Sequence, residues 1–579
     1  MSTQAKPLLE FLTRYRWPLF ILWVFVFRLP HILGADLRLD GDGAHHWLVM
    51  DRIYKGEAFV LHPHGMDHIG LIEFLFATPF VALFGHTQLP YQLGLVFIFL
   101  ITAWPLFLFA RRGYGESAAS WVLILMALPH PFVQFISLRP YGGHLLCNAL
   151  GLLVLYLWWR RVSNPGGVRP AVQLSGARDL LYWAGVGALG GVALYTNRLY
   201  AIPLAAHLGV WILHAVTREK SARQFVALAL FAVGFAIGGL PQWLGGHFEP
   251  FAPNYPNAGF NPGLENLESN AAVFASTLLP NLLDIVYFDG FGEAGFVPPG
   301  DFKKAVPIWQ GLIVLLAIGP LIRLVPRGIA YLRGQGPLTV GVLATAIVVA
   351  NTLAILITKL PIWGFSARYL LASILILIPI YAAFAAGLYD APAAPRDASG
   401  RLSFQKAFAF LNRIPFLDRF AALFRSAPRI YAIGHLLLFI AAYAYGYRPS
   451  ATIYSKPATA GAQEVSAYLK TNGHDRCLAN YWIAYNLIYS SGRKILASPT
   501  TQYPGLGPVR DPQIERAILE DPVGLRCVID HRFTMADGRN AAPGKVWTPV
   551  KDGPLRMRVS ERHTIADWII LFGDPVAGR

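Results

Sequence analysis

The sequence predicts a mainly α-helical protein that crosses a membrane many times and carries a small C-terminal α/β domain. Hydrophobic residues make up 55% of the 579 residues and charged residues only 14%, whereas a soluble protein carries about 25% charged residues. Apolar runs of about 20 residues, each long enough to cross a bilayer, recur along residues 1–447. From residue 448 to residue 579 the composition becomes polar and mixed.

The apolar runs predict about eleven membrane spans. The first run follows a short basic stretch, as the core of a signal peptide also does. It contains Arg28, and residues 33–35 form a poor cleavage site, so we interpret it as an uncleaved anchor. The predicted spans are residues 17–34, 91–110, 118–138, 142–159, 180–196, 200–216, 224–243, 307–325, 338–358, 368–389 and 430–447.

The positive charge of the chain orients these spans. The net charge is +16, and its basic residues cluster in alternate loops, the longest at about residues 390–429. Such clusters mark cytoplasmic loops, so the charge is explained by topology and no nucleic-acid partner is expected. The N-terminus is then cytoplasmic. The outer side holds a first loop of about 35–90, an acidic loop of about 244–306, and the C-terminal domain.

Two further apolar stretches, residues 69–84 and 271–288, must not cross the membrane, because either crossing would invert every later basic loop. The first is short and the second is interrupted by polar residues and proline. We predict that both form helices at the outer interface.

The C-terminal domain, about 130 residues long, is large enough to form its own core. Residues 463–469 have the period of an amphipathic helix with Val465, Tyr468 and Leu469 on one face. Short strands are predicted at residues 477–481, 494–497 and 526–529.

The chain has three cysteines, and none shows metal-ligand spacing. Cys477 and Cys527 lie in two predicted strands of the outer domain, where the compartment is oxidising. A disulfide and two buried thiols are both open there. Cys147 lies in an apolar run and is predicted to be a core residue.

The first outer loop contains the candidate base. Asp40 and Asp42 precede an amphipathic helix in which Trp47, Met50 and Tyr54 share a face, and which ends at residues 55–56. An aspartate at a helix N-terminus is held ionised by the helix dipole, and an ionised carboxylate can act as a general base. The alternative is that Asp40 or Asp42 only caps the helix.

A second group consists of basic residues near the outer ends of spans, where topology does not require them. Cations in such positions are functional candidates, and several arginines around one cleft suit a phosphate. The alternative for each is snorkelling to the outer headgroups. The group is Arg28, Arg139, Arg198, Lys359 and Arg368.

Histidines crowd the first outer loop. His64 and His68 have the i, i+4 spacing of a metal-binding helix, but Pro63 and Gly65 disfavour a helix there. We therefore expect no required cofactor, with a divalent metal at His64 and His68 as the minor alternative. The favoured roles are hydrogen bonding to a polar substrate, as for His45, or a plain surface position.

Four segments together resemble the GT-C superfamily of polyprenyl-phosphate-sugar glycosyltransferases, in particular bacterial proteins similar to protein O-mannosyltransferases and the lipid A aminoarabinose transferase. The similarity as a whole covers about residues 17–390. In the first segment, Gly43 departs from the family's Asp-Glu-Ala pattern, which leaves the choice between Asp40 and Asp42 open. The segments are residues 27–56, 70–85, 194–198 and 366–370, and residues 479–485 are similar to outer domains of bacterial relatives.

The resemblance implies a GT-C-type fold and an inverting transfer of a single sugar from undecaprenyl phosphate to an acceptor hydroxyl. The first-loop aspartate would be the base, and the outer arginines with Lys359 would hold the phosphate. The additional substrate-binding candidates are Tyr369, Glu73, His45 and Tyr141. The sugar stays open, and so does the acceptor, which is a lipid, a glycan or a protein.

Three alternatives compete with a single-sugar transferase. A flippase or transporter of lipid-linked glycans would also need outer cations, but the chain shows no repeat with paired broken helices. A polysaccharide ligase or polymerase would use a pyrophosphate-linked donor. An assembly scaffold would leave the first-loop acids and outer arginines unexplained.

Overall fold

The structure is a computed structural model of the 579-residue chain. It describes residues 14–33, 41–57, 61–63, 66, 68–128, 133, 136–138, 142–163, 174, 176–248, 262–278, 324, 328–334, 337–358, 368–386, 433, 461–503, 506–507, 509–520, 527–531, 542–547, 556–565 and 568–576.

Before residue 461 the described chain is helical apart from its loops. Some helices are extended by 3₁₀ or π turns, at Arg198–Tyr200, Ala215–Glu219, Leu264–Asn266 and Phe274–Leu278. The helices are α1 (Arg16–Leu33), α2 (Gly41–Tyr54), α3 (Ile72–Phe84), α4 (Gln88–Tyr114), α5 (Glu116–Ala127), α6 (His144–Val162), α7 (Ala177–Thr196), α8 (Ala201–His214), α9 (Ala222–Gly238), α10 (Leu240–Phe248), α11 (Leu267–Val273), α12 (Val340–Ile357) and α13 (Leu371–Ala385).

The mainly helical class predicted from the sequence is confirmed. Predicted spans 307–325 and 430–447 lie outside the described residues, apart from residues 324 and 433, so the total of about eleven spans stays a prediction. Within the described residues, five helical segments are long and apolar enough to cross a membrane: Gln88–Tyr114, His144–Val162, Arg198–Glu219, Val340–Ile357 and Arg368–Ala385.

The predicted span near residues 118–138 is interrupted at Leu128, and whether it crosses the membrane stays a prediction. Helix α5 ends at Ala127 after 12 residues, and Leu128 has left the helical region, with φ at −107° and ψ at 63°. Pro129 follows in the sequence, and a proline disfavours the helical conformation of the residue before it. Because 12 residues rise only about 18 Å, α5 alone is too short to cross a bilayer.

Helices α7 and α9 pack with their backbones in contact. A Cβ atom added to Gly187 of α7 would collide with the Phe231 carbonyl of α9, and one added to Gly234 of α9 would collide with the Ala184 carbonyl of α7. This is the small-residue packing by which helices associate in lipid, where the hydrophobic effect gives no attraction between them.

The two predicted interfacial segments are helical where the structure describes them. Helix α3 rises about 20 Å, less than the thickness of a bilayer core. It buries Phe74 and Val81 and leaves Leu83 74% exposed. The second segment is described up to residue 278, and Asn270 of α11 donates a 2.7 Å hydrogen bond to the Thr358 carbonyl after α12. The position of both segments relative to a membrane stays a prediction.

The C-terminal part forms a sheet with helices packed on it. Strand β1 pairs in parallel with β2 and β3, and the pairs β3–β6, β6–β5 and β5–β4 are antiparallel, which gives the order β2-β1-β3-β6-β5-β4. The elements are α14 (Ala462–Thr471), β1 (Arg476–Ala479), α15 (Tyr481–Ser490), β2 (Leu496–Ser498), α16 (Pro512–Leu519), β3 (Cys527–His531), β4 (Val546–Trp547), β5 (Met557–Ile565) and β6 (Trp568–Pro575).

The predicted helix and strands of this part are confirmed, with one boundary corrected. Val465 and Leu469 are buried on one face of α14, and Tyr468 packs beside them. Tyr481 does not end β1 but begins α15, because the Asn480 side chain accepts a 3.2 Å hydrogen bond from the Trp482 N–H and so caps the helix. The domain boundary at residue 447 stays a prediction.

A disulfide joins Cys477 of β1 to Cys527 of β3, which resolves the choice left open by the sequence. The two residues are direct partners in the register of these neighbouring strands. Cys147 is a buried free thiol, as predicted.

The apolar core of the helical part continues into the C-terminal domain. Leu478 and Val528 of the sheet and Tyr485 of α15 belong to the same buried cluster as Trp47 and Met50 of α2. The opposite sheet face has a separate core with α14. Helix α15 therefore joins the C-terminal part to helix α2.

Candidate active site

Helix α2 places the first-loop acid where the C-terminal domain meets the helical part. Asp42 lies in the first turn, where the helix dipole favours an ionised carboxylate. Of the predicted apolar face, Trp47 and Met50 are buried and Tyr54 is 40% exposed. The polar residues His45, His46 and Asp51 are buried too, because α15 packs on α2.

Asp42 accepts a hydrogen bond at Oδ1 from the Tyr481 hydroxyl. Burial raises the pKa of Tyr481 well above its ordinary value, and the Asp42 charge raises it further, so Tyr481 is a neutral donor. Asp42 itself is only partly buried. Among the described residues, its Oδ2 has no hydrogen-bond partner. One carboxylate oxygen is therefore held in place while the other is able to accept a proton.

The sheet of the C-terminal domain fixes the position of Tyr481. Asn480, the preceding residue, donates a 3.0 Å hydrogen bond from Nδ2 to Asp530 Oδ1 on β3. Two glycines let other backbone approach the tyrosine: a Cβ atom on Gly41 would lie 2.8 Å from its carbonyl oxygen, and one on Gly507 would lie 2.7 Å from its Cβ. Gly507 also has a φ of 97°, which favours glycine.

Further contacts along α2 hold the two parts together. The His45 ring meets the Tyr485 ring edge-on at 4.9 Å. The Tyr485 hydroxyl accepts 3.1 Å hydrogen bonds from the backbone N–H groups of Arg510 and Asp511. The Asp511 carboxylate in turn forms a 2.6 Å ion pair with Arg52 of α2, and both side chains are largely buried.

The candidate phosphate ligand Arg368 lies in a cluster of basic side chains. Its Nη2 donates a 3.1 Å hydrogen bond to the Tyr369 hydroxyl. His144, the first residue of α6, lies within electrostatic range of Arg368, His68 and His46. His46 follows Asp42 by one helical turn on α2, and residues spaced i, i+4 share a helix face. Helix α2 therefore connects the acid to the basic cluster.

A backbone junction places Arg198 beside the same cluster. The Arg198 N–H donates a 3.1 Å hydrogen bond to the His68 carbonyl, and residues 69 and 197 form an antiparallel bridge. The Asn197 side chain donates to the Gly142 carbonyl at 2.8 Å. Arg198 as a whole residue is exposed.

The buried carboxylate of Glu73 also stabilises this junction. It is 2% exposed, accepts a 2.7 Å hydrogen bond from the Gly143 N–H, and accepts a 3.3 Å hydrogen bond from the Tyr91 hydroxyl. These contacts position the start of α6, and hence His144. A role for Glu73 as a direct substrate contact stays a prediction.

Arg28 lies inside the helical part. It is 0% exposed, its guanidinium stacks 4.0 Å from the centre of the Phe99 ring, and its Nε donates to Ser137 Oγ at 3.1 Å. Its role as a phosphate ligand stays a prediction. The other predicted site residues, Asp40, Arg139, Tyr141, Lys359 and His64, lie outside the described residues.

The C-terminal end of α2 carries a second acid that the sequence analysis did not select. Asp51 is 0% exposed. Its Oδ2 accepts from Lys55 at 2.8 Å and from Arg493 at 3.1 Å, and its Oδ1 lies 2.7 Å from His86 Nδ1. Arg493 also forms a two-pronged pair with Glu57, at 2.9 and 2.8 Å. These bonds lower the pKa of Glu57 and raise that of Arg493.

Only part of this arrangement had a signal in the sequence. The spacing of Asp51 and Lys55 is that of an ion pair on one helix. The contacts of Tyr481 and Arg493 with α2 join residues more than 400 positions apart, and no local pattern encodes such contacts.

Within the described residues, no group of His, Cys, Asp or Glu side chains converges as a metal site would require.

The fold has counterparts among solved structures. A crystal structure of ArnT from Cupriavidus metallidurans bound to undecaprenyl phosphate has a TM-score of 0.52 at 14% sequence identity, covering 95% of this chain and 97% of that chain. Its apo state has a TM-score of 0.51 with the same identity and coverage. The oligosaccharyltransferase of Archaeoglobus fulgidus, in complex with Zn and sulfate, has a TM-score of 0.50 at 13% identity, covering 91% of this chain and 69% of that chain.

No protein-family model matches the chain, and no curated protein sequence matches it. Sequence identities of 13 to 14% show shared architecture only. The resemblance found in the sequence is therefore confirmed at the level of the fold: this chain shares the architecture of ArnT and the archaeal oligosaccharyltransferase.

Proposed function

We propose that the chain is a membrane glycosyltransferase that moves a single sugar from an undecaprenyl-phosphate-linked donor to an acceptor on the periplasmic face of a bacterial inner membrane. The observation that carries the proposal is the state of Asp42. It lies in the first turn of α2, is held by Tyr481 at one oxygen and is open at the other. The ArnT structure with this fold is bound to undecaprenyl phosphate, which supports a lipid-phosphate donor.

In the proposed reaction, an acceptor hydroxyl oxygen attacks the anomeric carbon of the donor sugar. A new C–O bond forms as the bond between that carbon and the phosphate oxygen breaks, with inversion at carbon. The hydroxyl proton passes to Asp42, and undecaprenyl phosphate leaves with the electron pair. General-base assistance of this kind contributes about 100- to 10,000-fold to a rate.

Arg368 and Arg198 are the proposed ligands of the departing phosphate. Fixed cations act most strongly where charge develops in the transition state, and guanidinium binds phosphate oxygens in pairs. Arg139 and Lys359 are proposed to complete this group, and Tyr369 and His45 to contact the substrate. Asp40 stays the alternative base.

The topology is part of the proposal. The N-terminus is cytoplasmic, and residues 448–579 form a periplasmic domain, so that donor, acceptor and Asp42 meet on one side. The acceptor is a lipid, a glycan or a protein. The transfer is proposed to need no metal, so a chelator such as EDTA should leave turnover unchanged.

The test uses the purified full chain in lipid nanodiscs with a panel of undecaprenyl-phosphate-linked sugars and isolated envelope material as acceptor. Mass spectrometry should detect transfer of one sugar, and Asp42→Asn should abolish transfer while donor binding persists. A flippase would instead move donor in both forms. Transfer only from a pyrophosphate-linked donor would indicate a ligase or polymerase. Comparing envelope glycans of a deletion strain identifies the sugar, and no missing sugar would contradict the proposal.

A further inference from the structure

A cleft of about 710 Å³ lies between α2 and the C-terminal domain, separate from Asp42. Pockets of about 300–1,000 Å³ are the size that binds small molecules. The cleft extends from α2 and the turn at His86 to α14 and the end of α15. Its lining residues are Trp47, Asp51, Lys55, His86, Gln463, Ser466, Ala467, Lys470, Tyr489, Ser490, Gly492 and Arg493.

The lining carries more positive than negative charge. Lys55, Lys470 and Arg493 contribute cations, and Asp51 is the acid among the lining residues. Lys55 and Arg493 are paired with Asp51, and Arg493 is also paired with Glu57. In the described part of the chain, the Lys470 ammonium bonds only the Ser490 carbonyl, at 3.4 Å. Lys470 therefore supplies a charge that no protein carboxylate neutralises there.

Two buried polar atoms on the lining residues also lack partners. Trp47 is 4% exposed and Ser466 is 2% exposed. Among the described residues, neither the Trp47 Nε1 atom nor the Ser466 hydroxyl has a hydrogen-bond partner. A buried polar group without a partner costs about 1–3 kcal/mol, so a ligand that bonds these groups recovers that cost.

The backbone holds Arg493 toward the cleft at a conformational cost. Its φ of 66° lies in the left-handed region that non-glycine residues rarely adopt. Gly492 before it also has a positive φ, of 64°. Such conformations persist where surrounding contacts fix them and are common at binding sites.

We propose that this cleft binds an acidic sugar unit of the acceptor, one that carries a phosphate or a carboxylate group. The Lys470 ammonium would meet the oxyanion, and a small movement of the lining would bring Trp47 Nε1 and the Ser466 hydroxyl within reach of sugar hydroxyls. Asp42 and Asp51 are separated by about 13 Å along α2, so the acidic unit would lie a few sugar rings from the attacking hydroxyl. That the acidic sugar belongs to an acceptor rests on the proposed transferase function, whereas the binding of an acidic sugar in this cleft does not.

The test measures binding of glucose 6-phosphate, glucuronate and glucose to the full chain in neutral-lipid nanodiscs, by saturation-transfer NMR. One or both acidic sugars should bind, and glucose should bind at least about tenfold more weakly, the scale of one charge-assisted hydrogen bond. Binding of one acidic sugar alone assigns phosphate or carboxylate. Equal binding of glucose would overturn the proposal.

Variants locate the site. Lys470→Glu and Ser466→Ala should each weaken the acidic sugar about tenfold, whereas Lys545→Glu, an exposed lysine elsewhere in the same domain, should not. Unchanged affinity in Lys470→Glu, or an equal loss in Lys545→Glu, would overturn the proposal. Asp42→Asn should leave this binding intact. If the wild type binds the acidic sugar but transfers no sugar, only the transferase proposal is contradicted. If it transfers sugar but does not bind the acidic sugar, only the proposal for this cleft is contradicted.

Discussion

The two ends of α2 hold their carboxylates in opposite ways. Asp42 is partly exposed and bonds one neutral phenol, with Oδ2 open among the described residues. Asp51 is fully buried and shares its two oxygens among Lys55, His86 and Arg493. A carboxylate that must take up a proton needs a free oxygen, whereas one that holds two parts of a protein together needs its oxygens occupied. The partners, and not the residue type, assign the role.

The largest expected effect separates the two acids by activity. Asp42→Asn should lower kcat by about 100- to 10,000-fold, because the amide cannot accept the proton, and should leave the unfolding temperature nearly unchanged. Steady-state transfer assays and thermal unfolding in detergent check both halves. A large loss of stability in this variant would assign Asp42 a structural role.

The opposite pattern is expected for Asp51→Asn. Removing the shared anion from a buried ion cluster should reduce the free energy of unfolding by about 3–5 kcal/mol, because the cations are left without their partner. Asp574→Asn, at an exposed position on β6, is the matched control and should change stability little. If both variants unfold alike, the ions around Asp51 do not hold α2 to the C-terminal domain.

A smaller effect is expected when the Tyr481 hydroxyl is removed. Tyr481→Phe removes one hydrogen bond to an ionised group and should lower kcat about tenfold. Tyr468→Phe, in the same domain, controls for loss of a hydroxyl. An unchanged kcat in Tyr481→Phe, or an equal loss in Tyr468→Phe, would show that the Tyr481 hydroxyl does not position the base.

The smallest expected effect concerns pH and Glu57. The Arg493 hydrogen bond holds the pKa of Glu57 below its ordinary value near 4.5. The pair therefore contributes fully above that value, and its contribution is lost as pH falls through the lowered pKa. Exposed ion pairs contribute about 0–1 kcal/mol. The unfolding temperature of the wild type should therefore fall slightly more on acidification than that of Glu57→Gln. An equal acid-side slope in wild type and variant would show that the pair contributes nothing.

Local patterns predicted most of the described fold. Hydropathy located the helices because about 20 apolar residues have few other stable arrangements, and the period of residues 463–469 predicted α14 with its buried face. The break after α5 was missed, although Pro129 follows directly. A hydropathy window averages across that proline, whereas the proline restricts the backbone of Leu128 and so ends the helix.

The candidate site was predictable only in part. Asp42 and Arg368 were selected by sidedness and by family resemblance. Tyr481 was assigned to a strand, and Asp51 was not selected, since both gain their surroundings from contacts between distant parts of the chain. Burial also separated Arg28 from the other arginines: its guanidinium stacks on Phe99 within the helical part, a difference that sequence position alone does not carry.

The hydrogen bond from Tyr481 to Asp42 has a consequence for biosynthesis. The ribosome completes Asp42 early and reaches Tyr481 only 439 residues later, after every apolar helix has been made. Until the C-terminal sheet has folded and docked, α2 is uncovered and its acid has no phenol to orient it. Under the proposed function, a half-made or truncated chain would have no positioned base, so that sugar transfer would begin only when synthesis and folding are complete.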